Sequence, residues 1–221
     1  MIPTGEEVAM GKDIHQQILS QYKLCQRPDV VARVQNLGRT LAAVSDRQDL
    51  PYHFYVLESK ELNAFTVPGG SIYVFTGLLD KLKSDAEVAA VIAHEIGHCA
   101  ARHTIKKFQA ALGYQLIGGV VLSQLGVQDQ SFASMSTNAV MQLVFSAYGR
   151  KDEYQADLLG IKYLNRAGYD MNGMVKTLEV LQREAEKSGG PPLILRSHPY
   201  AKDRVVMAKA EIARIIAQKA Q

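Results

Sequence analysis

The sequence predicts a mainly α-helical protein with one small β-sheet, an α+β fold. Apolar residues recur at helical spacing over most of the chain. Only residues 52–57, 63–67 and 71–77 have the β-branched and aromatic content of strands. The length of 221 residues, with 47% hydrophobic and 21% charged residues, is typical of a globular protein. No linker is visible, so we expect a single domain over residues 1–221.

Helical spacing predicts two amphipathic helices near the N-terminus. The first covers about residues 6–21 and the second begins near Pro28. We interpret both helices as structural. The three strand-like segments follow them, and we expect these segments to form the small sheet.

The turn between the last two strands contains Gly69 and Gly70. Because glycine has no side chain, another backbone can approach the sheet there, as an extended peptide does when it adds to a sheet edge. An ordinary hairpin turn explains the same two residues equally well. The sequence therefore leaves both interpretations open.

The candidate chemistry of the chain is concentrated in the segment His94-Glu95-Ile96-Gly97-His98. Two histidines four residues apart leave one face of a helix at adjacent turns, so both rings can bind one metal ion. Glu95 flanks that face, where a carboxylate can take a proton from water. The surrounding residues 88–100 are mostly apolar, which is typical of a helix buried in a core. This context favours a zinc site over a pair of hydrogen-bonded core histidines.

Ser84 and Glu87 form a capping-box pattern that predicts the start of this helix. We expect the helix to continue past His103 toward residues 110–113. On one continuous helix His103 would point about 180° away from His94, so we do not include it among the metal ligands.

Two histidines leave a tetrahedral catalytic zinc ion short of one protein ligand. Glu153 is the candidate, and Asp157 lies four residues later on the same helix face. One acid can bind the metal while the other accepts the second ring proton of a ligand histidine. Without the histidine motif, these acids would indicate only a solvated surface. His198, in a loop, could donate a hydrogen bond to the oxyanion that forms when water attacks a peptide carbonyl.

Charge and cysteine content exclude several functions. The net charge of +3 is spread along the chain without a basic block, so no nucleic-acid partner is expected. Cys25 and Cys99 belong to no Cys-x-x-Cys pair, which excludes zinc ribbons and thioredoxin-type redox sites. A disulfide between them stays open, although we expect Cys99 to pack as a small buried residue.

Two segments bear on the location of the protein. Residues 1–7 have neither the basic nor the apolar region of a signal peptide, which leaves a cytoplasmic protein or a mature form without its export signal. Residues 108–127 are apolar but interrupted by polar side chains. A core helix or hydrophobic lid is favoured there, and peripheral membrane contact through residues 112–122 is the alternative.

Four ordered motifs resemble the HtpX and CAAX-prenyl-protease family of zinc metallopeptidases. Within this family the chain is most similar to the soluble, periplasmic, BepA-like branch. That no region with several membrane spans is visible argues against the prenyl-protease branch. The motifs are Asn63-Ala64-Phe65 with Pro68-Gly69-Gly70, Ala93-His94-Glu95-Ile96-Gly97-His98, Glu153-Tyr154-Gln155-Ala156-Asp157, and Ser197-His198-Pro199 with Arg204.

The resemblance implies a gluzincin-type fold and endopeptidase activity on unfolded or misassembled envelope proteins. It assigns one zinc ion to His94, His98 and Glu153, and the roles of general base and then proton donor to Glu95. It also implies that Asp157 orients His94, that His198 assists or occludes the metal, and that Arg204 pairs with an acid. The strand that it implies for substrate binding comprises Gly69, Gly70, Ser71, Ile72 and Tyr73.

A function from another class remains open. A zinc-containing chaperone or scaffold would bind polypeptide clients without cutting them, with His198 closing the metal to substrate. Both interpretations require bound zinc, and they differ only in turnover. A purely structural zinc ion would instead need a fourth protein ligand and no open position.

Overall fold

The computed structural model of the chain describes residues 2–111 and 135–220. The predicted mainly helical fold with a small sheet is confirmed. The strands are β1 (His53–Leu57), β2 (Ala64–Val67) and β3 (Ser71–Phe75). The described helices are α1 (Thr4–Gln21), α2 (Pro28–Ala42), α3 (Thr76–Leu79), α4 (Asp85–Ala100), α5 (described over 103–111), α6 (Thr137–Val144), α7 (Arg150–Arg166), α8 (Asn172–Lys187), α9 (Leu193–Ser197) and α10 (Ala201–Lys219).

The sheet has the strand order β1-β3-β2. β2 and β3 pair antiparallel as a hairpin, and β1 pairs parallel with β3. A short 3-10 turn at Pro68–Gly70 joins the hairpin, where Gly69 and Gly70 have φ values of 84° and 87°. These values lie in the left-handed region that side chains disfavour, so the two glycines are required for the turn itself.

The strand implied for substrate binding, residues 69–73, does not lie at an edge of the sheet, so the expectation of an edge strand is wrong. Ser71, Ile72 and Tyr73 lie in β3, the central strand, whose backbone pairs with neighbours on both sides. The adjoining turn is covered by α1, because a Cβ atom on Gly69 would lie 2.9 Å from the Cα of Val8. The turn glycines therefore accommodate α1, and this strand offers no free edge to a peptide.

The sheet separates two hydrophobic clusters. One cluster contains residues of β1, β2 and β3 together with α2, α4, α7, α8 and α10. The other cluster lies on the opposite face and contains aromatic residues such as Phe65, Tyr73 and Phe75 with residues of α1 and α6. Helix α4 is buried at every position from Glu87 to Cys99, which confirms its predicted place in the core.

Helix α4 starts as predicted but ends earlier. The Ser84 Oγ atom accepts the backbone N–H of Glu87 at 3.3 Å, while the Glu87 carboxylate accepts that of Lys83 at 2.8 Å. The helix stops at Ala100, since Arg102 has a φ of 61° and left-handed backbone cannot continue a right-handed helix. The predicted continuation through His103 is therefore wrong.

Helices α4 and α7 pack closely through glycines. A Cβ atom on Gly97 would lie 2.7 Å from the carbonyl oxygen of Ala156, and one on Gly160 would lie 3.2 Å from the backbone nitrogen of His94. The two helices can therefore approach with backbone nearly in contact. This spacing brings side chains of α7 within reach of the histidines on α4.

Other expectations concern the remainder of the chain. Cys25 and Cys99 are both free and buried, so they form no disulfide. Residues 112–122, for which membrane contact was considered, lie outside the described residues. Among the helices that the structure describes, none is both long and apolar enough to span a bilayer. The single-domain organisation of residues 1–221 stays a prediction.

Candidate metal centre and active site

Four buried side chains converge between α4 and α7. His94 and His98 come from α4, Glu153 comes from α7, and His198 follows α9. One ligand atom from each of the four lies within 4.8 Å of the others. The structure thus places Glu153, from a distant part of the sequence, beside the two predicted histidines of α4, and His198 joins the same group.

The donor atoms suit a zinc ion. The Nε2 atoms of His94 and His98 lie 3.1 Å apart, and the Glu153 carboxylate oxygens lie 3.6 Å and 3.4 Å from them. Two nitrogens bound at about 2.0–2.1 Å to one tetrahedral ion are separated by roughly 3.3 Å. Burial holds the pKa of His98 well below its usual value, although Glu153 opposes this, so the ring is neutral and able to ligate.

Glu95 lies beside this group, and one of its carboxylate oxygens has no hydrogen-bond donor in the part of the chain that the structure describes. The side chain is 1% exposed, and its Oε2 atom has no hydrogen-bond partner among the described residues. Its Oε1 atom lies 3.5 Å from His198 Nε2. A buried carboxylate oxygen without a donor is costly, so this position fits a water molecule that donates to Glu95.

Asp157 and Arg204 support His94. The Asp157 carboxylate lies 2.8 Å from His94 Nδ1, and the Arg204 guanidinium donates to both Asp157 oxygens at 2.7 Å and 2.8 Å. Burial would raise the pKa of Asp157, yet Arg204 and His94 hold it below its usual value. The carboxylate is therefore ionised and accepts a hydrogen bond from the Nδ1–H of His94, which leaves the Nε2 lone pair facing the centre.

Arg204 also pairs with Glu153. Its Nη1 atom lies 2.6 Å from Glu153 Oε2, in an ion pair without hydrogen-bond alignment. Burial would raise the pKa of Glu153, but Arg204 and His198 hold it well below its usual value. One guanidinium thus keeps two buried carboxylates ionised, and an ionised Glu153 can bind a cation.

His198 closes one side of the centre. Its Nδ1 atom lies 3.0 Å from Glu153 Oε1 and 3.3 Å from His94 Nε2. Burial lowers the pKa of His198, but the carboxylates of Glu153 and Glu95 outweigh this and raise it above its usual value. His198 is therefore placed either to donate a hydrogen bond beside Glu95 or to occupy a ligand position.

Two residues near the centre were not predicted. Tyr148 stacks on the His98 ring with centroids 3.9 Å apart, and His103 Nδ1 lies 3.1 Å from His98 Nδ1. No sequence spacing marks Tyr148, because its contact with His98 is tertiary. His103 was set aside on the assumption of a continuous helix, and the break after Ala100 turns it toward His98 instead.

A helix with two histidines, a buried acid from a distant helix and an adjacent glutamate are together typical of zinc metallopeptidases. The sequence pattern of peptidase family M48 matches residues 28–212, so the chain belongs to this family. This confirms the family inferred from the four motifs.

Relatives carry consistent names. The chain is 28% identical over 211 residues to the beta-barrel assembly-enhancing protease of Escherichia coli strain K12, which covers 93% of this chain and 43% of the relative. It is 31% identical over 203 residues to the mitochondrial metalloendopeptidase OMA1 of Schizosaccharomyces pombe, and the alignment covers 90% of this chain and 59% of the relative. It is 32% identical over 154 residues to the metalloprotease LoiP of Escherichia coli, and the alignment covers 70% of this chain and 60% of the relative. The chain thus spans less than two thirds of the length of these relatives.

Proposed function

We propose that the chain is a zinc-dependent endopeptidase. The observation that carries the proposal is the unpartnered oxygen of Glu95 beside a buried group of two imidazoles and one carboxylate. Membership in peptidase family M48 supports the same reaction class. The chain spans less than two thirds of the length of its relatives, so the proposed activity rests on the residues of its own site.

His94, His98 and Glu153 would hold the ion. Zinc at this position supplies Lewis acidity, which lowers the pKa of water and polarises the scissile carbonyl. The ionised Asp157 keeps His94 in the ligating tautomer. Arg204 balances the charge of both acids, so that Glu153 stays available as a ligand.

Glu95 and His198 would handle the protons and the developing charge. Glu95 takes a proton from the attacking water and delivers it to the nitrogen of the leaving amine. His198, 3.5 Å from Glu95, donates a hydrogen bond to the oxyanion of the tetrahedral intermediate. Such a donor contributes on the order of a few kcal/mol in other enzymes.

β2 takes the place of β3 as the proposed substrate strand. It lies at an edge of the sheet and supplies Ala64 to the same cluster as α4. Since the backbone N–H of Phe75 bonds to the carbonyl of Asn63, the backbone groups of Ala64 and Thr66 point away from β3. An extended peptide could pair there after movement of the groups that bury β2.

The substrates are proposed to be polypeptides, in particular unfolded or misassembled envelope proteins in the periplasm. This rests on the resemblance of the motifs and on similarity to a relative named for enhancing β-barrel assembly. Peripheral membrane contact through residues 112–122 remains a further proposal.

A client-binding protein with a closed centre is the second candidate. It is favoured by His198, which is 3% exposed and contacts Glu153, His94 and Glu95 at once. In this state the imidazole occupies space that a substrate carbonyl needs. The two candidates differ in whether His198 leaves the centre when a polypeptide binds.

Substitution of Glu95 tests the endopeptidase. We expect Glu95→Gln to retain zinc, because Glu95 is not a ligand, and to lose at least about 100-fold in cleavage of unfolded casein, because the amide cannot accept the proton. Glu186→Gln, at an exposed position, serves as the control. Full cleavage by Glu95→Gln contradicts the role of Glu95. If the zinc-loaded wild type produces no casein fragments either with or without a chelator, the result supports the client-binding protein.

A further inference from the structure

His103 contacts the candidate ligand His98 on the side away from the metal centre. It is 4% exposed and lies at the start of α5, directly after the left-handed residue Arg102. Its Nδ1 atom is 3.1 Å from His98 Nδ1, and its Nε2 atom is 3.1 Å from the Oε1 atom of Gln155 on α7. The group of four candidate ligands does not include His103.

With the amide oxygen of Gln155 facing His103, the hydrogen bonds from Gln155 through His103 to His98 run in one direction. The amide oxygen of Gln155 can only accept, so His103 Nε2 must carry the proton. A neutral His103 then has its lone pair on Nδ1, and His98 Nδ1 must donate to it. His98 is left with its lone pair on Nε2, the atom that lies 3.1 Å from His94 Nε2 in the centre.

We propose that His103 is a positioning residue that holds His98 in its ligating tautomer and orientation. The inference rests on the proposed metal centre but concerns a residue that touches neither the metal nor the substrate. Helix α7 would then support both rings, through Asp157 directly for His94 and through Gln155 and His103 for His98. Tyr148, stacked on His98, restricts the remaining rotation of the ring.

Loss of His103 has a defined physical effect. The buried N–H of His98 would lose its acceptor, and the ring could take the other tautomer, whose Nε2 is protonated and cannot ligate. Removal of such an outer partner typically lowers metal affinity by roughly 10- to 100-fold. Zinc affinity, and not only catalytic rate, should therefore depend on His103.

The test uses two substitutions in the full chain. His103→Phe keeps a flat ring without an acceptor, whereas His103→Asn places an amide oxygen close to the position of Nδ1. His15→Phe is the matched control, because His15 also makes a side-chain hydrogen bond, to Tyr73, but on the far face of the sheet. Zinc dissociation constants are measured by competition with a chromophoric chelator, and cobalt(II) spectra report the geometry of the centre.

We expect His103→Phe to weaken zinc binding about 10-fold or more and to alter the cobalt spectrum. His103→Asn should restore both to near the wild-type values, and His15→Phe should change neither. Equal zinc affinity in the wild type and in folded His103→Phe overturns the proposal. So does an Asn variant as weak as the Phe variant, since the acceptor would then be irrelevant.

A second measurement needs no substitution and covers the case in which His103→Phe does not fold. Two-bond ¹⁵N–¹H spectra of zinc-loaded wild type should show His103 protonated at Nε2 and His98 at Nδ1. A proton on Nδ1 of His103 overturns the proposal. Failure of the wild type to bind zinc would instead refute the proposed function, so the two failures are distinguishable.

Discussion

The two histidines of α4 are supported in different ways. His94 bonds to the ionised Asp157, which Arg204 clamps with two hydrogen bonds, so its surroundings are charged. His98 instead contacts the His103 ring at its Nδ1 atom, and Tyr148 stacks on its face. Although both rings leave one helix face four residues apart, the Nδ1 atom of His94 is held by a carboxylate, whereas that of His98 is held by an imidazole.

This difference determines how each side should respond to substitution. A buried ion-pair network is costly to break, because removal of one partner leaves uncompensated charge in the core. Neutral partners leave only an unsatisfied hydrogen bond or a lost contact. Substitutions of the residues that support His94 should therefore have larger effects than substitutions of those that support His98.

The largest effect is expected for Arg204→Met. This substitution leaves Asp157 and Glu153 buried without their cation, and breaking such a network typically costs about 3–5 kcal/mol. Urea unfolding of the metal-free protein measures the loss. Arg214→Met on the same helix is the control, since the ion pair of this surface arginine with Glu211 should contribute little to stability. Equal losses in the free energy of unfolding for both variants would show that the buried network is no more sensitive than a surface ion pair.

An intermediate effect is expected for Asp157→Asn. The amide oxygen can still accept from His94, but the negative charge that favours the ligating ring is gone, so zinc affinity should fall by roughly 10- to 100-fold. Competition with a chelator measures the affinity. Asp203→Asn, in an exposed ion pair with Arg150, should bind zinc as the wild type does. An unchanged affinity of Asp157→Asn would show that the charge on this side has no role.

The smallest effect is expected for Tyr148→Phe. The ring still stacks on His98, and only the hydroxyl contact with Thr104 at 3.1 Å is lost. Zinc affinity should stay within about twofold of the wild type, while unfolding should become easier by about 1 kcal/mol. Chelator competition and urea unfolding provide the two values. A large fall in zinc affinity would mean that Tyr148 supports His98 through its hydroxyl and not only by stacking.

The parts of the site that sequence could predict follow local periodicity. His94 and His98, and likewise Glu153 and Asp157, are pairs four residues apart on helices, a spacing that fixes a shared face. The Ser84 cap is also a local signal. That the two helices face each other follows from close packing at Gly97, which the spacing did not indicate.

The features that the sequence did not predict depend on contacts between distant residues or on a helix end without the usual glycine or asparagine signal. β3 is central because β1, fourteen or more residues away in sequence, pairs with it in parallel, and no local pattern specifies strand order. Helix α4 ends at a left-handed arginine, where glycine or asparagine would have signalled a stop. The same break brings His103 to His98, so one unpredicted turn explains both the wrong helix end and the wrong orientation expected for His103.

X-ray absorption at the zinc edge of the purified, active protein tests the central claim most directly. The claim is that His94, His98 and Glu153 hold one ion. The account predicts one zinc per chain with a shell of nitrogen and oxygen ligands at about 2.0–2.2 Å, including imidazole. Cys99, whose pKa burial raises to about 12, should not take part. Absence of zinc at stoichiometric loading, or a sulfur shell near about 2.3 Å, would contradict it.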